Sequence, residues 1–254
     1  MPAASEPSGG PRVELSIVVP AYNEEARIPL TLSRTLDYLD RHLPASEVLV
    51  VDDGSTDNTA SIVEERAAGE PRVRLLRLPR NRGKGAAVRT GMLAARGEHV
   101  LFMDADMSTP IGEVEKLFFY ARRGNDVVIG SRGLADSDIR ARQPLFRESM
   151  GRVFNLLVRA LLFGEFRDTQ CGFKLFSRQA ARDLFGRQTL DGFSFDVEIL
   201  LLARQAGLEV KEVPITWYHA PHSKVSPFGD SRRMFLDLLR LRLRRASARN
   251  RADS

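Results

Sequence analysis

Residues 47–55 read EVLVVDDGS, an apolar run that ends in two aspartates and a glycine turn. Similar short runs occur as LSIVVP at 15–20, HVLFM at 99–103 and DVVIG at 126–130, with a weaker candidate at 73–78. Continuous apolar runs of this length are typical of strands that are buried on both faces, which occur in parallel sheets. The pattern therefore favours a mostly parallel sheet.

Segments with helical periodicity separate these runs, at about 25–41, 57–68, 84–95 and 111–122. Asp57, after the turn at 54–56, is predicted to cap the second helix. Regular alternation of strand and helix implies right-handed crossovers and helices on both faces of the sheet. The predicted fold class is α/β, a three-layer α/β/α sandwich.

The domain organisation is predicted to be one large domain with short additions. The first segment, 1–12, is rich in Pro, Gly, Ser and Ala, and lacks the basic start and apolar centre of a signal peptide. We expect a disordered tail at 1–12, one domain over 13–228, a basic amphipathic helix over 229–245 and a second tail at 246–254. Within the domain, 133–147 and 218–230 are expected to be loops and 148–163 a helix.

The last helix combines an apolar stripe with arginines. The predicted stripe consists of Met234, Phe235, Leu238, Leu239 and Leu241, and the predicted opposite face of Arg233, Asp237, Arg240 and Arg244. Such a helix either lies in a membrane interface or packs on its own domain. The sequence leaves both possibilities open.

Composition limits the function classes. The chain has 254 residues, a net charge of +5 and a single cysteine, Cys171, so it has no intramolecular disulfide framework. We expect Cys171 to be a small core residue. The positive charge favours an anionic partner. Aromatic residues are not interleaved with the basic residues as nucleic-acid stacking requires, so we expect no nucleic acid as partner.

Polar residues follow four of the predicted strands, where ligands gather in open α/β sheets. The ends read PAYNEE at 20–25, DDGS at 52–55, DAD at 104–106 and GSR at 130–132. Asp104 and Asp106 can share Mg²⁺ or Mn²⁺ with substrate phosphates, because hard cations prefer oxygen ligands. A capping role in a solvated turn is the alternative.

Lys84 lies in NRGKG at 81–85, at the predicted start of a helix. A glycine-flanked helix N-terminus attracts phosphate, although the spacing of a P-loop is absent. A solvated lysine in a loop is the alternative. No Gly-x-Gly-x-x-Gly follows the first strand, which argues against a dinucleotide oxidoreductase.

Together these motifs resemble those of the family-2 glycosyltransferases of GT-A fold. The matching segments are VVPAYNEE (18–25), VVDDGSTDNT (50–59), NRGKGAAVRTGM (81–92), DADMSTP (104–110) and GSR (130–132). Three later segments, RDTQCGFKLF (167–176), FSFDVEIL (193–200) and SKV (223–225), are similar to the dolichyl- or polyprenyl-phosphate sugar transferases, and within them to the glucosyl type. The resemblance covers about residues 13–245.

The resemblance implies roles for individual residues. Pro20, Tyr22, Glu24 and Asp53 would hold the base and ribose of the nucleotide, with Lys84 as a further donor-binding residue. Asp104 and Asp106 would hold the metal and diphosphate. Arg132 and Lys224 would meet phosphates, and an arginine fork suits a phosphate monoester. Asp168 and Gln170 would lie near the reacting sugar. Asp196 is the third catalytic candidate, after Asp168 and Arg132, and is preferred over Glu198. The alternative for Asp196 and Glu198 is a helix start at which the dipole favours acids.

The implied reaction inverts the configuration of a hexose, expected to be glucose, as it moves from a nucleotide-diphospho-sugar to a polyprenyl or dolichyl phosphate. Two alternatives remain open, namely a hydroxyl acceptor in cell-surface polysaccharide or glycolipid synthesis, and mannosyl transfer from GDP-mannose. Asp168 could be a base only if the acceptor is an alcohol. We expect a cytoplasmic enzyme, peripheral on the cytoplasmic face of a membrane.

Overall fold

The computed structural model describes residues 12–140, 154–219 and 229–252. Its first half alternates strictly, with one short 3₁₀ turn at Ile111–Glu113 before α4. The elements are β1 (Leu15–Ala21), α1 (Ile28–His42), β2 (Ser46–Asp52), α2 (Thr59–Gly69), β3 (Val73–Arg77), α3 (Lys84–Ala94), β4 (His99–Met103), α4 (Val114–Ala121) and β5 (Val127–Ser131).

The second half is less regular. It contains β6 (Asp138–Ile139), a helix α5 described over 154–161, β7 (Phe173–Ser177), α6 (Arg178–Arg187), α7 (Phe195–Gln205), β8 (Val210–Pro214), β9 (Thr216–Trp217) and α8 (Gly229–Ala252). The short strands β6 and β9 pair with each other in a separate two-stranded sheet.

The main sheet has seven strands in the order β3-β2-β1-β4-β7-β5-β8. Its pairings are parallel except those of β7, which runs antiparallel to both β4 and β5. Apolar side chains from both faces form two core clusters. One cluster packs beneath α1 and α4, and the other beneath α3, α6, α7 and α8. The predicted three-layer α/β/α fold with a mostly parallel sheet is confirmed.

Some helix boundaries differ from those predicted. The first helix begins at Ile28 rather than near residue 25, with Pro29 in its first turn. In α2 the N-cap position is Asn58, so the prediction of Asp57 as cap was wrong by one residue. The carboxylate of Asp57 still accepts from the N–H of Thr59, at 3.0 Å. Its predicted function, satisfying a free amide at the helix start, is therefore retained.

The last helix reaches Ala252 and so extends into the segment expected to be a tail. Alanine and arginine dominate its end, and both favour helix. Leu238 and Leu241 of the predicted stripe are buried in the core, whereas Phe235 is exposed. Asp237 was predicted on the solvent face. It is buried instead, with the guanidinium of Arg240 at 2.9 Å.

No helix in the described part of the chain is both long and apolar enough to cross a membrane.

Candidate functional site

The carboxyl ends of β1, β2, β4 and β5 meet at one edge of the sheet, because these strands point the same way. Between β1 and β4 the strand order reverses, since β2 and β3 lie on one side of β1 and β4 on the other. Such a reversal opens a crevice in which ligands bind. The polar segments after these four strands line this edge, as the sequence predicts.

The antiparallel strand β7 adds a fifth segment to the same edge. Because β7 runs in the opposite direction, the turn that precedes it, 168–172, arrives where the parallel strands end. The amide of Asp104 donates to the carbonyl of Gly172 at 3.0 Å, which fixes this turn beside the end of β4. Asp168 and Gln170 thus reach the crevice from a segment that is distant in sequence.

Asp53 organises the loop before α3. Its two carboxylate oxygens accept from the amides of Arg82 and Gly83, both at 2.8 Å. Burial raises the pKa of Asp53 above its ordinary value, although the two amide donors favour the charged form. Gly54 has φ +69°, and a Cβ there would lie 2.5 Å from the carbonyl carbon of Arg80. Only glycine allows the two loops to approach this closely.

Lys84 and Asp104 form an ion pair inside the crevice, with 2.7 Å between Nζ and Oδ1. Burial alone would lower the pKa of Lys84, but the carboxylates of Asp104 and Asp196 outweigh it, so the pKa is raised. Lys84 is therefore a permanent cation in the first turn of α3. The alternative interpretation, a solvated lysine, was wrong, because the side chain is mostly enclosed.

Gly172 provides the space that the Asp104 carboxylate occupies. A Cβ on Gly172 would lie 2.0 Å from Oδ2 of Asp104, well inside van der Waals contact. Any larger residue would therefore displace this carboxylate. Gly172 lies within the segment RDTQCGFKLF (167–176), but its role was not predicted from the sequence. The signal was a glycine directly before a buried strand, where close approach of another group is a common reason for glycine.

Asp106 lies two residues after Asp104, and its Oδ1 accepts from the amide of Ser108 at 2.9 Å. In the described ranges, no group of three His, Cys, Asp or Glu side chains converges on one point. The donor set is thus two partly exposed carboxylates at a strand end. This set fits Mg²⁺ or Mn²⁺, which take few protein carboxylates and complete their shell with water and phosphate oxygens.

Arg132 and Asp168 form a two-point ion pair. Nε of Arg132 lies 2.6 Å from Oδ2 of Asp168, and Nη2 lies 2.9 Å from Oδ1. The amide of Gln170 also donates to Oδ1, at 3.1 Å. Burial would raise the pKa of Asp168, but Arg132 outweighs this effect and the pKa is lowered. Asp168 is therefore ionised and already bonded, which suits a positioning role better than proton abstraction.

Asp196 and Glu198, both in the first turn of α7, have different partners. Asp196 is buried against Lys174, with 2.5 Å between Nζ and Oδ1. Glu198 instead accepts from the amides of Thr189 and Leu190, at 3.0 and 2.7 Å. Glu198 is therefore bonded to the turn before α7, and the preference for Asp196 as the site residue stays a prediction.

The remaining predicted residues fall in two groups. Pro20, Tyr22 and Glu24 lie on the segment from β1 into α1, and each is partly exposed. The carboxylate of Glu24 bonds Arg27 at 2.6 Å, and its amide donates to the Thr59 hydroxyl at 2.7 Å. Lys224 lies outside the described residues.

Two further residues of the site were missed. Lys174 lies fully buried in β7, and Trp217 lies with its ring 5.6 Å from the Arg132 guanidinium carbon. A lysine inside the apolar segment FKLF was a signal, since lysine is almost never fully buried unless it is paired. The position of Trp217 had no signal in the sequence. Cys171 is free and buried, as predicted, and burial raises its pKa to about 12.

Comparison with known proteins identifies the family of the chain. The family model described as glycosyl transferase family 2 matches residues 16–185. Dolichyl-phosphate beta-glucosyltransferases are similar over nearly the whole chain. The human protein is 39% identical and the alignment covers 92% of this chain and 76% of the relative. The yeast protein, from Saccharomyces cerevisiae, is 34% identical, with 96% and 78% covered.

Solved structures share the fold. Glucosyl-3-phosphoglycerate synthase from Mycobacterium tuberculosis, in complex with Mn²⁺, UDP and glucosyl-3-phosphoglycerate, superposes with a TM-score of 0.68 at 21% identity. That alignment covers 94% of this chain and 86% of the synthase. Mannosyl-3-phosphoglycerate synthase from Rubrobacter xylanophilus gives a TM-score of 0.66 at 20% identity, with 94% and 75% covered. From its sequence and its fold, the chain belongs to glycosyl transferase family 2.

Proposed function

We propose that this glycosyltransferase moves glucose from UDP-glucose to a dolichyl or other polyprenyl phosphate, with inversion at the anomeric carbon. The observation that supports this proposal most is the Arg132–Asp168 pair, because it places an oriented guanidinium in the crevice without providing a free base. The names of the relatives at 34–40% identity support the same acceptor.

The acceptor chemistry agrees with the state of Asp168. A phosphate monoester is already anionic near neutral pH, since its second pKa is about 6. It needs orientation rather than deprotonation. The pair with Asp168 uses Nε and Nη2 of Arg132, and Nη1 has no carboxylate bonded to it in the described part of the chain. Nη1 is thus the atom that we assign to the acceptor phosphate, and Lys224 is proposed as a second cation.

On the donor side, Pro20, Tyr22, Glu24 and Asp53 are proposed to bind the nucleoside. Asp53 does so while it holds the loop at 81–83. Lys84 supplies a fixed positive charge for the diphosphate, at the N-terminus of α3 where the helix dipole also favours anions. Asp104 and Asp106 would hold Mg²⁺ or Mn²⁺, which when bound neutralises the charge of the leaving nucleotide.

An acceptor comparison tests this function. Purified protein with UDP-glucose and Mn²⁺ should glucosylate dolichyl phosphate but not dolichol, which has the same chain and a hydroxyl in place of the phosphate. Arg132→Ala should raise the KM for dolichyl phosphate strongly. Equal transfer to dolichol would favour the alternative, a hydroxyl acceptor.

The donor is tested separately. Calorimetric titration of UDP and GDP in the presence of Mn²⁺ should give tighter binding of UDP. Tighter binding of GDP would favour a mannosyltransferase instead. The two tests are independent, since nucleotide binding needs no acceptor.

We also propose that α8 contacts a membrane, on the cytoplasmic face, through its outward side. Leu236 and Leu243 are exposed, the latter at 69%, among the exposed arginines Arg232, Arg240 and Arg242. An apolar face with flanking arginines suits an anionic membrane interface. A polyprenyl phosphate stays in the bilayer, so the enzyme must reach it there.

Because Leu238 and Leu241 of α8 are buried in the core, the membrane contact cannot be tested by removing the helix. Deleting α8 would expose the core, so single leucines on its outer side are better targets. Leu236→Ser with Leu243→Ser should reduce sedimentation with anionic liposomes, and rising salt should weaken binding of the unmodified protein. Leu30→Ser with Leu93→Ser, two exposed leucines elsewhere, is the matched control. Equal binding by both double variants would rule out α8 as the contact.

A further inference from the structure

Lys174 is a buried cation in the middle of the sheet. Lys174 lies on β7, opposite Phe102 of β4 and Ile129 of β5, and only 1% of its surface is exposed. Its ammonium donates to the carboxylate of Asp196 and to the carbonyl of Cys171. Neither bond belongs to the sheet, so β7 would form without this side chain.

A buried ion pair of this kind is weak evidence for a stabilising role. Removing two charges from water costs several kcal/mol per ion, and replacing such a pair by apolar residues of similar volume is often neutral or stabilising. Hence the presence of Lys174 and Asp196 in the core calls for another explanation. The two parts of the site that this pair connects provide that explanation.

The two partners of Lys174 belong to two different parts of the site. Cys171 lies in the turn 168–172, which also contains Asp168, Gln170 and Gly172. Asp196 is in the first turn of α7 and is 3% exposed. Lys174 therefore joins the turn beside the end of β4 to the start of a helix that is distant in sequence.

Charges of alternating sign continue the connection on both sides. The positive charge of Lys174 helps to lower the pKa of Asp168. The ammonium groups of Lys174 and Lys84 lie 5.8 and 5.2 Å from the centroid of the Phe102 ring. Asp168 is bonded to Arg132, and Lys84 to Asp104. The Lys174–Asp196 pair thus lies between the proposed acceptor cation and the proposed donor-side cation.

We propose that Lys174 is a positioning residue of this enzyme, which acts with Asp196 to hold the turn 168–172 and thereby sets the reacting sugar against the acceptor. Asp196 is then a partner of Lys174 rather than a group that touches substrate. This inference rests on the proposed transferase function. According to it, the pair affects turnover but neither nucleotide binding nor folding.

The double variant Lys174→Met/Asp196→Leu tests the proposal, because it removes both charges and leaves neither alone in the core. We expect a Tm at or above the wild-type value. The affinity for UDP with Mn²⁺ should be unchanged, since Asp53, Asp104 and Asp106 are intact. The kcat should fall about 100-fold, the usual cost of misplacing reacting groups by about 1 Å. Amide exchange over 168–172 should be faster than in the wild type.

Glu47→Gln/Arg74→Met is the matched control. This pair joins β2 and β3, with 2.8 Å between its charged atoms, and it lies at the start of β2, at the opposite edge of the sheet. Its kcat should equal that of the wild type. If the first double variant fails to fold, the neutral pair Lys174→Gln/Asp196→Asn replaces it. The shorter glutamine cannot reach both partners, so the same loss of kcat is expected.

Asp196→Asn distinguishes positioning from direct catalysis. The amide keeps an oxygen that accepts from Lys174, so a positioning role predicts that most of the kcat is retained. A loss as large as in the double variant, with amide exchange over 168–172 as in the wild type, would mean that the charge of Asp196 itself acts on substrate, which would overturn the assignment. The same loss with faster exchange would instead support positioning, because the buried Lys174 then lacks its counterion.

The proposal is also overturned if the double variant keeps the wild-type kcat and the wild-type amide exchange. If the unmodified protein transfers no glucose to dolichyl phosphate, the proposed function fails separately. In that case the exchange rates over 168–172 still test whether Lys174 holds the turn.

Discussion

Arg132 and Asp168, which lie 36 residues apart in the sequence, form three hydrogen bonds with each other. Two run from the guanidinium, at 2.6 and 2.9 Å, and the third runs from the backbone amide of Arg132, at 3.0 Å. Asp168 is therefore fixed in one orientation and stays charged. The role of Asp168 is therefore to hold the Arg132 side chain in position, as an anchor.

The first prediction concerns Asp168→Asn. Asparagine keeps one oxygen acceptor but loses the charge, so Arg132 should remain in place less firmly and activity should fall without disappearing. Because the pKa of Asp168 is lowered, its titration should not shape the rate above about pH 5. Wild type and variant should then have the same profile of kcat/KM against pH in the neutral range.

Complete loss of turnover in Asp168→Asn, with intact UDP binding, would contradict the anchor role. It would favour a general base and an alcohol acceptor. Loss of both turnover and UDP binding would point to a folding defect, which Tm measurements detect.

The second prediction concerns Gly172→Ala. The added methyl group would lie 2.0 Å from the Asp104 carboxylate, which must then move. We expect activity to fall about 100-fold, as for other small displacements of reacting groups. The Tm should change little, because the displaced carboxylate is partly exposed. Gly164→Ala is the control, since an added Cβ there meets nothing within 4 Å. Equal activity of the two variants would refute the role of Gly172.

The third prediction concerns the metal. Chelation by EDTA should abolish transfer, and Mn²⁺ or Mg²⁺ should restore it. Asp106→Asn should cost about 100-fold or more in rate, because loss of charge stabilisation in the transition state has effects of this size. Asp183→Asn, an exposed carboxylate on α6, should have no effect. An enzyme that works fully in EDTA would contradict the assignment of Asp104 and Asp106.

The fourth prediction concerns stability and pH at His99. Burial lowers the pKa of this imidazole, whose ring packs edge-on against Phe118 at 5.3 Å. A lowered folded-state pKa means that the unfolded chain binds the proton first as pH falls. The contribution of neutral His99 to the free energy of unfolding is therefore fully present above about pH 6.5. It is lost as the pH falls from there through the lowered pKa of the folded state.

Thermal unfolding at pH 7.5 and pH 5.5 measures this loss. His99→Phe, which keeps the ring contact without the charge, should lose less Tm on acidification than the wild type. His42→Gln, which removes an exposed imidazole, controls for the loss of a histidine in general. An identical acid shift in wild type and His99→Phe would contradict the prediction.

Most of the sheet could be predicted from the sequence, because buried parallel strands appear as continuous apolar runs. The runs ending at Asp52 and Met103 are examples. The position of β7 could not be predicted in this way. Its antiparallel insertion between β4 and β5 depends on how the later elements pack, and periodicity along the chain carries no information about strand order.

The same limit explains which site residues were found. Asp104 and Asp106 follow a predicted strand, so their chemistry could be inferred from local sequence. The pairing of Arg132 with Asp168, and that of Lys174 with Asp196, arise only when β7 is in place. Likewise, the predicted stripe of α8 contained Leu238 and Leu241, which face the core, but also Phe235, which is exposed, because periodicity alone does not give the exact width of the buried face.

The nature of the bond in the product tests the central claim most directly. The protein should be incubated with UDP-glucose, Mn²⁺ and dolichyl phosphate in anionic vesicles, and the lipid product analysed by ³¹P and ¹H NMR. We predict that the phosphate monoester signal is replaced by that of a phosphodiester linked to β-glucose. A phosphate that stays a monoester while glucose appears on a hydroxyl group, or an α-linked product, would contradict the account.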